Sequence, residues 1–326
     1  MQRLALVGPG RWGRILVKSV QGISKSVIFT QAVARSPAKA AGWCAAQGIA
    51  LSDDLQTVLS DPQIDGVVLA TPHSQHKDQI IQVAQAGKDL FCEKPIALTL
   101  ADAKTALQKV KNEGIVFAAG HNRRFLPAVE RMKTMIMSGD LGTILHIEGN
   151  MSSHVGFGEI YTSDMWRVAP GESPAGGLAA AGIHVIDTMI HLLGPVTSVV
   201  AQSDRLVHQI DHDDITSMLL QFDSRATGYV TTMTATAPIF RMQVFGDRGW
   251  LELRGTNDLI WKSVEGKHQE WSFPNISTER KQLEAFAEAI QSRGAFPISI
   301  EDIINGIAVF EGVLASLRLD QRITLH

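Results

Sequence analysis

Gly8, Gly10 and Gly13 fall in the run Gly8-Pro9-Gly10-Arg11-Trp12-Gly13, a G-x-G-x-x-G spacing. An apolar run, Leu4–Val7, precedes it, and a segment with helical apolar spacing, from about Arg11 to Val20, follows. Between a strand and a helix, such glycines let the backbone approach a pyrophosphate, and the helix start offers free N–H groups and a positive dipole end. The plainer reading of the same residues is a tight turn without a ligand. About 20 residues further on, where an Asp or Glu would bind ribose hydroxyls, the chain has Ala34, then Arg35 and Ser36. Loss of the carboxylate removes repulsion against a 2′-phosphate, and a guanidinium can bind that group bidentately. The pattern favours NADP(H); if Arg35 only stacks on adenine, NAD(H) is the alternative.

Three further groups could do chemistry. Thr71-Pro72-His73 directly follows the apolar run Asp65–Ala70, at a strand end of the kind that borders a ligand crevice. His73 and His76 have the spacing of a metal pair, but no cysteine or third ligand lies nearby, so they read as polar histidines and no metal is expected. Phe91-Cys92-Glu93-Lys94-Pro95 ends another apolar run. A lysine there can hold or protonate a substrate oxygen beside a nicotinamide, and otherwise it is a charged turn. His184, Asp187 and His191 stand at i, i+3 and i+7, on one face of a helix, beside the apolar stripe Ile183, Ile186, Ile190 and Leu193. A histidine with a carboxylate one turn away suits acid/base work; a structural polar contact is the competing reading.

Elements that position these residues follow from the pattern. Short apolar runs alternate with helical segments over the first third, which predicts βαβ units and a parallel sheet. Strands are expected at Leu4–Val7, Val27–Ala34, Asp65–Ala70, Leu90–Cys92 and Ile115–Ala119. Helices are expected at Arg11–Val20, from Pro37 to near Gly48, and at Leu100–Lys111 with Thr99 as its cap. After Gly120 a helix at Pro127–Met137 leads into strand-like segments: Ile215–Phe222, Thr227–Thr236, Arg241–Phe245 and Trp250–Leu253. One helix, Leu178–Leu193, interrupts them, and two more, Thr278–Ser292 and Ile300–Leu317, close the chain. The expected fold is α/β: a Rossmann-type dinucleotide-binding domain over residues 1–120, then an α+β domain over 121–326 with a largely antiparallel open sheet.

Composition narrows the function classes. The chain has 326 residues, enough for two domains at roughly 100–200 residues each. With 45% hydrophobic and 19% charged residues, it is no disordered chain. Aromatics reach only 6%, so the core must rest on Ala, Val, Ile and Leu. Thirty basic against 33 acidic residues, without a Lys/Arg block, give no support to a nucleic-acid or membrane partner. Cys44 and Cys92, far apart, exclude a disulfide framework and a cysteine zinc site. The apolar start is too short for a signal peptide, and His184, Asp187 and His191 break the apolar stretch between Pro174 and Gly194. A cytoplasmic location is expected.

Taken together, GPGRWG, ATPHSQH, CEKPIALT, GHNRRF, Trp166-Arg167, GGLAAAGIHVID and FGDRGWLEL resemble, in order and over nearly the whole chain, the Gfo/Idh/MocA family of oxidoreductases. The resemblance implies hydride transfer between a nicotinamide and a secondary alcohol or carbonyl of a sugar-like, cyclitol or diol substrate. It assigns Lys94 to the substrate oxygen, His184 to proton transfer and Asp187 to the same pocket, with Pro95 after a cis peptide. Cofactor contacts are implied at Gly8, Gly10, Arg11, Trp12, Gly13, Arg35, Ser36, Thr71, Pro72, His73, His76, Glu93, Lys94, Asn122, Trp166 and Arg167. One departure is Ala180, four residues before the histidine, where many members carry Asp. A few relatives cleave glycosides with the cofactor's help, and others only sense it; the pair Lys94 and His184 argues against the sensing class. The loop His154–Asp164 is expected to contribute to the substrate pocket. The expected assembly is a homodimer or homotetramer through the C-terminal sheet.

Overall fold

The computed structural model describes residues 1–154, 165–169 and 171–325. The chain divides into two units, residues 1–122 with 277–300 and residues 123–276 with 301–326. A single cut after Gly120 therefore does not describe it. The helix Thr278–Ser292, which the sequence alone groups with the second domain, folds into the first unit. Its buried face, Leu283, Phe286, Ala287 and Ile290, has a partner there in Phe91, whose ring centroid lies 6.0 Å from that of Phe286.

The first unit is a parallel sheet. Its strands are β1 (Gln2–Val7), β2 (Val27–Val33), β3 (Ala50–Ser52), β4 (Gly66–Leu69), β5 (Asp89–Cys92) and β6 (Phe117–Ala119), in the order β3-β2-β1-β4-β5-β6. Every residue of β4 and β5 is buried, as expected for strands covered on both faces. Strand order reverses between β1 and β4, which opens a crevice at their carboxyl ends. The helices are α1 (Arg11–Val20), α2 (Ala41–Ala46), α3 (Leu55–Leu59), α4 (His76–Gln85), α5 (Leu100–Glu113) and α8 (Thr278–Ser292). Thr99 caps α5 by accepting from the Asp102 N–H at 3.1 Å, and Gly114 ends it at φ 64°.

Two local differences stand out. The helix expected from Pro37 is a short 3₁₀ turn, Pro37–Lys39, followed by α2, because Ala40 sits at φ −112° and breaks the helix there. The segments β3, α3 and α4 have no counterpart in the sequence reading. β3 has three residues and α3 five, too few for apolar periodicity to show.

The second unit contains α6 (Pro127–Met137), α7 (Gly182–Leu193), α9 (Ile300–Leu319) and a nine-stranded sheet. Its strands are β7 (Ile144–His154), β8 (Val196–Asp204), β9 (Ile215–Phe222), β10 (Thr227–Met233), β11 (Ala235–Gly246), β12 (Gly249–Arg254), β13 (Asp258–Ser263), β14 (His268–Ser272) and β15 (Ile323–Thr324). All neighbours pair antiparallel except β7 with β10. Helix α7 covers one face: a Cβ on Gly149 of β7 would collide with Val185 and stand 2.8 Å from Met189 Cε. Leu219 and Tyr229, paired across β9 and β10, stand exposed on the other face. The expected helix from Leu178 starts instead at Gly182, after a 3₁₀ turn at Gly176–Leu178. Among the described residues, no helix is long and apolar enough to cross a membrane.

Candidate functional site

In the first unit the predicted residues gather at the strand ends. Gly8 lies at φ +93°, donates its N–H to the Val33 carbonyl at 3.0 Å, and a Cβ there would stand 2.7 Å from the Ala70 carbonyl oxygen. Only glycine meets all three conditions. A Cβ on Gly13 would collide with the Gly8 carbonyl, which explains the last glycine of the run. Gly10 caps α1 without a side-chain hydrogen bond, no acidic residue occupies the first turn, and a Cβ on Gly10 would face open space. The start of α1 therefore presents backbone N–H groups to a glycine-lined opening. That cradle fits a dinucleotide pyrophosphate.

The adenosine end continues along β2. Ala34 donates its N–H to the Ser52 carbonyl at 3.0 Å, while Arg35 and Ser36 project as exposed residues. Arg14 was not singled out by the sequence, yet it braces this region. Its Nε donates to the Pro9 carbonyl at 3.0 Å, its Nη2 to the Lys39 carbonyl at 3.3 Å, and its guanidinium lies 5.1 Å from the Trp43 ring centroid.

At the ends of β4 and β5, His76 joins two loops. It is fully buried, with Nδ1 2.8 Å from the Pro95 carbonyl and Nε2 3.0 Å from the Thr71 carbonyl. The Thr71 hydroxyl donates to Gln79 at 2.6 Å. His73 is also buried, 5.9 Å from His76 between ring centroids. Among the described residues, no group of three or more His, Cys, Asp or Glu could hold a metal. Glu93 is buried, Lys94 is half-buried, and the Lys94–Pro95 peptide is cis. A Cβ on Gly120 would stand 2.8 Å from the Glu93 carboxylate, so the ends of β5 and β6 meet there.

Asn122 follows, 1% exposed, donating Nδ2 to Thr278 Oγ1 and Glu279 Oε1, both at 3.0 Å. A carboxylate only accepts, so this contact fixes which way the amide points.

In the second unit, His184 and Asp187 both lie on the buried face of α7. The expected simple pair is part of a larger set. Both Asp187 carboxylate oxygens accept from Arg124, and Arg124 also reaches Asp302 at the start of α9. His191 lies beside the same guanidinium, 3.4 Å from Nη1. Burial, with Arg124 and Lys133 adding to it, lowers the His191 pKa to about 4, so its ring is neutral at pH 7. The Arg167 guanidinium lies 4.3 Å from the Trp166 ring centroid, both in the 3₁₀ turn Trp166–Val168. Ala180 is exposed. The expected pocket loop lies, past His154, outside the described residues. Arg124, Asp302 and Lys133 were not singled out by spacing, because their partners come from separate elements.

Comparison with known proteins bears on the whole chain. Residues 2–121 match the model of an oxidoreductase family with an NAD-binding Rossmann fold, and residues 129–252 match the GFO/IDH/MocA C-terminal domain. The scyllo-inositol 2-dehydrogenase (NAD(+)) of Bacillus subtilis is 32% identical, over 96% of this chain and 93% of its own length. Levoglucosan dehydrogenase, solved with NADH and L-sorbose, superposes with a TM-score of 0.88 at 21% identity over 100% of both chains. Aldose-aldose oxidoreductase from Caulobacter crescentus gives 0.88 at 22% over 99% of each.

Proposed function

Because the chain belongs to the Gfo/Idh/MocA family of oxidoreductases, we propose that it is an NAD(P)-dependent dehydrogenase interconverting a secondary alcohol and a carbonyl in a sugar-like, cyclitol or diol substrate. The observation that carries this reading is the uncapped, glycine-lined start of α1 at the point where the strand order reverses. Gly8, Gly10 and Gly13 would hold the pyrophosphate, with Arg35 and Ser36 at the adenosine ribose and Thr71, Pro72, Glu93 and Asn122 nearer the nicotinamide. The nicotinamide, when bound, supplies the redox chemistry by giving or taking a hydride at C4. Lys94 binds the oxygen on the reacting carbon and steadies its negative charge. His184 removes the hydroxyl proton in oxidation and returns it in reduction. Relatives named for scyllo-inositol and levoglucosan support a polyhydroxylated ring as the substrate class. Ala180, without a carboxylate, argues for a pocket that reads such a ring differently from members with Asp there.

Arg35 and the absence of an acid at Ala34 support NADP(H) as the preferred cofactor. One charged hydrogen bond contributes about 1.5–3 kcal/mol, or roughly 10- to 100-fold in affinity. The exposed strip of Leu219 and Tyr229 supports self-association through the second sheet. Leu219→Glu/Tyr229→Glu should then lower the mass measured by light scattering to that of one chain. The test of the activity is a panel of sugars, cyclitols, keto-sugars and diols, assayed for NADP⁺ reduction and NADPH oxidation. At least one polyhydroxylated compound should turn over with net cofactor change. Product formed without net cofactor change would contradict the dehydrogenase reading and favour glycoside cleavage.

A further inference from the structure

We propose that Arg124 is a positioning residue for His184, acting through Asp187 and the body of α7. The proposal rests on the reading of His184 as the proton carrier. Arg124 is buried, and its fork takes the Asp187 carboxylate from both sides, Nη2 to Oδ1 at 2.7 Å and Nε to Oδ2 at 2.9 Å. Nη2 also approaches the Asp187 carbonyl at 3.4 Å, and Nη1 stands 3.4 Å from His191 Nδ1. The neutral His191 ring can accept from the guanidinium. Nη1 then donates to Asp302 Oδ2 at 2.6 Å, which ties the same guanidinium to the first turn of α9. Lys133, from α6, closes the far end of α7 by donating to the His191 carbonyl at 2.6 Å and the Leu192 carbonyl at 3.3 Å.

These contacts fix the rotation of one helix. Helix α7 begins at Ala181–Gly182 with no side-chain cap, so nothing of that kind holds its first turn. His184 sits in that first turn, one turn before Asp187. A side-chain tip at the rim of a helix moves by about 1 Å when the helix rotates by about 10°. A misplacement of about 1 Å at a reacting group costs about 10² in rate. Stability alone does not explain so many polar contacts on one buried cation, since a well-packed apolar pair commonly does as well or better. Orientation does. Asp187 is then the point by which Arg124 grips the helix.

The experiment compares Arg124→Lys, Asp187→Asn and the double variant Arg124→Met/Asp187→Leu with the unaltered enzyme, and uses His184→Ala as a control. It measures kcat, KM, cofactor Kd by fluorescence, melting temperature, and the His184 ring Cε1–Hε1 NMR signal, assigned by its loss in His184→Ala. Lysine keeps the charge but not the fork. Arg124→Lys and Asp187→Asn should lower kcat about 10- to 100-fold, leave KM and cofactor Kd within about threefold, and displace the His184 signal. The double variant, which leaves no unpaired partner between these two residues but takes a donor from Asp302, should stay folded yet keep the low kcat. A double variant with full kcat would make the pair structural only and overturn the proposal. So would a rise in KM with kcat unchanged, which marks a substrate ligand, or an unmoved His184 signal. Full activity in His184→Ala would instead sink the proton-carrier reading, and the two failures are thereby told apart.

Discussion

His76 shows how a residue can matter without looking as if it should. Both its ring nitrogens lie against carbonyl oxygens, those of Thr71 and Pro95, so the ring latches the loop after β4 to the loop that carries Lys94. A ring with one N–H donates to one of these carbonyls at a time, so His76→Leu removes that buried hydrogen bond, a cost of about 1–3 kcal/mol. Differential scanning calorimetry should show a lower melting temperature, and cofactor binding should weaken because the Thr71 loop is released. A melting curve and Kd matching those of the unaltered protein would show the latch to be idle. Sequence reading placed His73 and His76 at a strand end but could not assign this role. A backbone carbonyl partner has no residue type, so it leaves no mark in the sequence. Ala34 and Arg35 are the opposite case, since cofactor preference is read there from charge alone. Exchanging them, in Ala34→Asp/Arg35→Ala, should reverse the ratio of NADPH to NADH dissociation constants, by roughly 10-fold or more. An unaltered ratio would show that other residues set it.

Among the elements, those that carry the site were the most legible. Helices α1, α6 and α8 have the ends that the sequence pattern predicts, whereas α4, also ten residues long, is missed because its polar start, residues 76–79, hides the apolar spacing. The segments β3 and α3 are too short for periodicity, although Asp54, which accepts from the Gln56 N–H, was a readable helix cap. The start of α7 differs from the expected Leu178 because Gly176–Leu178 form a separate 3₁₀ turn, and residues 179–181 stand between it and the helix proper. Packing of that helix makes a prediction of its own. Gly149→Ala would drive a methyl group into Val185 and Met189, and overpacking of this kind costs about 1–3 kcal/mol. The variant should melt lower and lose kcat, since it displaces the helix that carries His184. If it melts and turns over like the unaltered enzyme, α7 is not held rigidly against β7.

Across the whole molecule, division into units was the least legible feature. Apolar spacing marks Thr278–Ser292 as a helix, but nothing local says that it folds with residues 1–122. That choice is made by long-range packing such as Phe286 against Phe91. Stability against acid is also a property of the whole. His191 titrates near 6.5 when unfolded and at about 4 when folded, so between those values the unfolded chain binds the extra proton. Its contribution is fully present above pH 6.5 and is lost as pH falls toward 4. At ~1.4 kcal/mol per pH unit, and allowing for partial exposure, the loss should be about 2 kcal/mol. Urea unfolding from pH 7 to pH 4 should show less acid loss in His191→Asn than in the unaltered chain. An identical pH dependence would remove His191 from the account. Hydride transfer with Lys94 at the reacting oxygen has a more direct test. With the best substrate of the panel, Lys94→Met should lose about 10²–10⁴ in kcat/KM, while its NADPH dissociation constant stays within about threefold of the unaltered enzyme. Near-normal turnover in Lys94→Met, with cofactor bound, would contradict the account.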